Sequence, residues 1–132
     1  PDMLYVAGKA VAQKIRSYMD DRCTPVKLIN GGARGLHHFT EWVGTAVCTT
    51  INWKGTADLL LERNPPVVHA FDQPVSPMVI DVLVRTLPDF KRAYFSDGLA
   101  QEAYESFGPV HLFCSYFQEA WEQARSALRT GV

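Results

Sequence analysis

The 132-residue chain has little cysteine, and what it has is scattered. Cys23, Cys48 and Cys114 are odd in number and far apart, with no C-x-x-C pair or Cys/His run. Neither a disulfide framework nor a metal knuckle is written into such spacing, so three reduced, mostly buried thiols are expected. Nine glycines and eight prolines are ordinary numbers, which removes collagen-like and low-complexity readings. Apolar runs are only a few residues long, far short of the roughly 20 that a membrane helix needs. Charge of neither sign dominates: thirteen basic and fourteen acidic side chains leave a formal charge of -1. No basic footprint for nucleic acid or acidic lipid follows from that balance. What remains, 47% hydrophobic and 20% charged residues, is the composition of a folded globular protein, with a cytoplasmic setting expected. The first residue is Pro1 rather than Met, and the chain reads as processed or as a piece of something longer.

Periodicity supplies the elements. Leu4 to Met19 carries apolar residues at Leu4, Val11, Ile15, Tyr18 and Met19, a helix with one buried face, ending before Thr24-Pro25. Val26 to Asn30 is strand-like and closed by Gly31-Gly32. Gly35 to Val43 reads as a helix stopped by Gly44, and Ala46 to Trp53 as a second buried strand, rich in β-branched residues. Lys54 to Glu62 is helical again. Helix and strand thus alternate with short connections, which argues for parallel strands and an α/β fold. Beyond Asn64-Pro65-Pro66 the chain turns helical: Pro77 to Leu87, a short Leu99 to Ser106, and Pro109 to Leu128, expected to bury Val110, Phe113, Phe117 and Trp121.

Two segments carry chemistry. In Leu28-Ile29-Asn30-Gly31-Gly32-Ala33-Arg34-Gly35, a strand runs into glycines, a cation and a helix start. Glycines let a ligand approach the backbone, and an arginine grips phosphate through two parallel hydrogen bonds. The plain alternative is a tight turn with a surface arginine. In Thr49-Thr50-Ile51-Asn52-Trp53-Lys54, Asn52 and Trp53 fall at the carboxyl end of a strand, where ligands sit in parallel α/β proteins. Its plain alternative is a capping cluster with a packed tryptophan. His37 and His38 are adjacent, so on a helix they point about 100° apart and suit one metal ion badly. His69 and His111 lie elsewhere, no nucleophile elbow is present, and Glu102, Glu105, Glu119 and Glu122 read as solvated faces. Metal binding is not expected.

Two parallel strands alone make a marginal ribbon, because parallel strands are normally buried on both faces. The segment therefore reads as the end of a larger α/β protein. Taken in order, its pieces resemble the C-terminal portion of a class I transaldolase. Asn30-Gly31-Gly32-Ala33-Arg34 falls where that family has a Gly-Ala-Ser-x-Arg type turn. Val47-Cys48-Thr49-Thr50-Ile51-Asn52 falls where it has its eighth strand, and Leu99 to Gly108 with the following helix resembles its closing helices.

The resemblance implies the last two strands and closing helices of an eight-stranded (β/α)8 barrel. Residues 1–63 would be the last β/α units and 64–132 the closing helices. It implies transfer of a dihydroxyacetone unit between sugar phosphates through a lysine Schiff base, in the pentose phosphate pathway. That lysine would lie upstream of Pro1, leaving no catalytic residue in this segment and no activity of its own. Arg34 matches the phosphate-binding arginine, with Gly31 and Gly32 forming the turn. Gly32 stands where the family has serine and offers only its backbone N–H. Asn30 and Asn52 become candidate pocket residues, and Lys54 reads as a solvated amine. Neither cofactor nor metal is implied. The partners expected are a sugar phosphate and the upstream part of the same barrel, not nucleic acid or membrane, with a homo-oligomer left open. Two other readings stand beside it: a non-catalytic sugar-phosphate-binding barrel, and a helical interaction module using the Phe113 to Trp121 face.

Overall fold

A computed structural model describes residues 3–33, 35–44 and 47–131. The chain forms two compact units, residues 1–86 and 87–132. In the first, a single turn of 3₁₀ helix at Met3–Val6 runs into α1 (Ala7–Asp21), followed by β1 (Ile29–Ala33), α2 (His37–Thr40), β2 (Cys48–Ile51), α3 (Asp58–Arg63) and α4 (Pro77–Thr86). In the second lie α5 (Pro88–Tyr94), a 3₁₀ turn at Gln101–Ala103 and the long α6 (Gly108–Thr130). The fold is thus mostly helical with one small parallel sheet, an α/β arrangement. Among the described residues no helix is long and apolar enough to cross a membrane.

The core of the first unit is built on α1. Ala10, Ala12, Phe71 and Leu83 are buried there, and the rings of Trp42 and Phe71 stand 5.3 Å apart. Small alanines let neighbouring backbone come close, and polar groups then tie it down. Lys9, only 5% exposed, donates to Glu41 at 2.8 Å and to the Ala70 carbonyl at 2.6 Å. One turn on, the Gln13 amide donates to the carbonyls of Phe71 and Gln73. The Val43 carbonyl accepts from Ala70 and Phe71, so three distant segments are laced together. A buried ammonium is tolerable only with such partners.

β1 and β2 are parallel, with Ile29 opposite Cys48, Asn30 opposite Thr49 and Ala33 opposite Ile51. Two residues of β1 lie between the last two pairs against one of β2, a bulge at Gly31-Gly32. The expected strand over Val26–Asn30 is therefore shifted to Ile29–Ala33. The glycines do not end it; Gly32, at φ 74°, gives the bulge its left-handed residue.

β2 was expected to be buried. Instead Cys48 and Thr50 are exposed, and so is Ile29 on β1, because one face of the sheet is left open; Ile51 is exposed too, at the edge of a cleft on the other face. The helix expected from Gly35 contracts to His37–Thr40, and Lys54 to Ala57 is a turn, not helix. Proline at the first position starts a further helix, α5, in a stretch to which the sequence reading gives no element. The second unit buries Phe90 and Phe107, and the Arg92 guanidinium lies 5.2 Å above the Phe107 ring. The α6 stripe, expected to be buried, is not: the helix has no buried residue. All three cysteines are exposed, against expectation, since each lies on a turn or a face that nothing described here covers.

Candidate functional site

The parallel register brings the two chemistry-bearing segments to one end of the sheet. Ala33 stands opposite Ile51, so the residues after β1 and those after β2 leave the sheet side by side. Alternation then divides the side chains between two faces. Ile29 and Gly31 share the open face with Cys48 and Thr50, whereas Asn30 lies with Thr49 on the other.

On the open face, a Cβ added at Gly31 or Gly32 would meet nothing within 4 Å. Space for a ligand therefore exists above the turn. The Gly32 N–H is already engaged, however: it donates to the Thr50 hydroxyl oxygen at 2.6 Å. Arg34, the leading phosphate-binding candidate, lies outside the described residues. Ala33 beside it is fully buried and fixes where the strand ends.

Asn30 belongs to the opposite side. Its amide nitrogen is buried with no hydrogen-bond partner among the described residues. On that side lies a cleft of about 330 Å³, lined by Phe39, Trp42, Val43, Ile51, Leu60 and Pro66, with His38, Thr40 and Thr49 as its polar members. Gly31, Gly32, Asn30 and Asn52 are not among its lining residues, whereas Thr49 and Ile51 of the second segment are. The aromatic spacing of Phe39 and Trp42, with Pro65-Pro66 beyond, was the signal that would have pointed there. Nearby, Tyr5 is stacked on His37 at 4.3 Å, and the rings of His37 and His38 lie 4.0 Å apart, tilted to one another. No group of three or more His, Cys, Asp or Glu suited to a metal ion occurs among the described residues.

Asn52 lies at the far end of β2, exposed, and its carbonyl organises the next turn. It accepts from the Ala57 N–H at 3.2 Å and from the buried Thr56 hydroxyl. Lys54 (φ -72°, ψ 129°) and Gly55 (φ 79°, ψ -1°) have the dihedrals of a type II turn, which requires φ above zero at its third residue. Asp58 closes the turn. Backbone hydrogen bonds, from Gly55 first and Leu59 next, hold its carboxyl below the ordinary aspartate value, and Leu59 N–H lies 2.7 Å from Oδ1. The result is a self-bonded loop that holds Trp53, 70% exposed, and Lys54 outward at the carboxyl end of β2.

Gly31, Gly32 and Asn52 thus share one end of the sheet; Asn30 does not join them. Thr50 was missed because β2 read as buried on both faces, although strict alternation with Cys48 would have flagged it. Neither family profiles, nor curated proteins, nor solved structures gave a match to this chain.

Proposed function

We propose that this segment is the C-terminal part of a transaldolase-like (β/α)8 barrel, and that it supplies the phosphate end of a sugar-phosphate site. The observation that carries the reading is the parallel β1–β2 pair with one exposed face, near whose carboxyl end the Gly31-Gly32 bulge lies on one strand and the Asn52 loop follows the other. Parallel strands are otherwise buried on both faces, and barrel substrates bind at the strands' carboxyl ends. Further strands would cover the open face and bring the Schiff-base lysine, in a cytoplasmic enzyme. Lys9 is not a substitute for that lysine, since its amine is spent on Glu41 and the Ala70 carbonyl. Arg34 grips the phosphate, with open space over the glycines beside it.

The test is made on the complete polypeptide. Arg34→Ala should raise KM for a phosphorylated ketose by about 10- to 100-fold, the cost of a lost charge-assisted contact, and leave an unphosphorylated ketose nearly unaffected. Equal losses on the two substrates would overturn the assignment. Borohydride trapping with the ketose separates an enzyme from a binding barrel that keeps only the anion site.

The bare apolar face of α6 favours a second reading, a helical interaction module. A single cooperative urea transition of residues 1–132, seen together by far- and near-UV circular dichroism, would support it. A broad transition with weak near-UV signal would support the barrel end.

A further inference from the structure

Resting on the sugar-phosphate reading, we propose that Thr50 is a substrate-binding residue whose hydroxyl donates a hydrogen bond to the phosphate. A hydroxyl carries one hydrogen and two lone pairs. Here one lone pair accepts from the Gly32 N–H at 2.6 Å, and no described residue accepts the Thr50 hydrogen. Thr50 is exposed, so that hydrogen is offered to whatever occupies the open face.

Three features make this more than a solvated threonine. Thr50 stands opposite the bulge, next to the two glycines over which a Cβ would meet nothing within 4 Å. Its β-branched side chain has few rotamers, and the Gly32 N–H selects among them, so the donor is aimed before a ligand arrives. Accepting from one N–H also polarises the O–H toward donation, and an anionic acceptor strengthens the chain Gly32 N–H, Thr50 O–H, phosphate oxygen. Gly32 itself contributes through Thr50 and not by contacting the anion, because its only donor is used. Threonine on one strand thereby supplies the neutral donor that a glycine on the neighbouring strand cannot.

The experiment titrates the complete polypeptide with inorganic phosphate and with a sugar phosphate, following ¹⁵N-labelled backbone amides. Thr50→Val, which keeps the branched shape and removes the hydroxyl, should weaken both by about tenfold. Thr50→Ser should stay within about twofold, and Arg34→Ala should lose most of the binding. In the unsubstituted protein the Gly32 amide resonance should move downfield on phosphate addition, a readout that needs no variant to fold. Unchanged binding by Thr50→Val, or a Gly32 amide indifferent to phosphate, overturns the role of Thr50. In that case loss of binding in Arg34→Ala leaves the sugar-phosphate reading standing. Absence of any phosphate binding by the unsubstituted protein overturns both.

Discussion

Helices α1 and α6 carry the same kind of amphipathic pattern and meet opposite fates. In α1, Ala10 and Ala12 are 3% and 6% exposed, and Lys9 and Gln13 reach four backbone or side-chain acceptors more than thirty residues away. In α6, Phe117 and Trp121 are each 67% exposed, and the nearest aromatic company of Phe117 is Phe113 on the same helix, 5.4 Å away. A stripe states what a helix can bury; only a partner decides whether it does. The small residues of α1 let a loop settle on it, and polar groups then fix that loop. The large residues of α6 stay exposed, and none of its residues is buried.

That contrast can be broken from either side. The largest effect is expected from Lys9→Ala, which leaves Glu41 and the Ala70 carbonyl without their cation. Removing the buried member of a pair whose other side chain, Glu41, is 33% exposed, and leaving the Ala70 carbonyl unpaired, should cost about 3 kcal/mol, read from urea unfolding of the whole chain. A loss below about 1 kcal/mol would mean that α1 is held by its alanines alone. Next comes Ala10→Leu, which forces extra carbons into filled space and should cost about 2 kcal/mol in the same assay. The smallest is Trp121→Ser on α6, expected to change stability by no more than about 0.5 kcal/mol, as exposed positions do. A larger loss would show that the α6 face is covered in solution, and would erase the difference between the two helices.

Much of the local structure was legible. The stripe of α1, the proline-started α4 and α6, and the two parallel strands all follow from period and punctuation. The errors have definite causes. Gly31-Gly32 looked like a strand end because glycine serves both turns and bulges, and only pairing with β2 tells them apart. Leu59 to Leu61 carry a helical reading back to Lys54, yet Gly55 at φ 79° makes a turn there. For the candidate site, residue type and position put Gly31, Gly32 and Asn52 near one end of the sheet; Asn30, named through the same run of residues, lies on the other face, because side chains alternate along a strand.

The sequence by itself determined the striped and proline-started helices α1, α4 and α6, the presence of two strands, and where the glycines and cations fall. These depend on residues within a few positions of one another. The tertiary structure alone decided that Gly32 donates to Thr50, that Lys9 meets Glu41, and that one face of the sheet and the apolar stripe of α6 stand exposed. Pairing and burial depend on segments tens of residues apart, whose approach no local periodicity encodes.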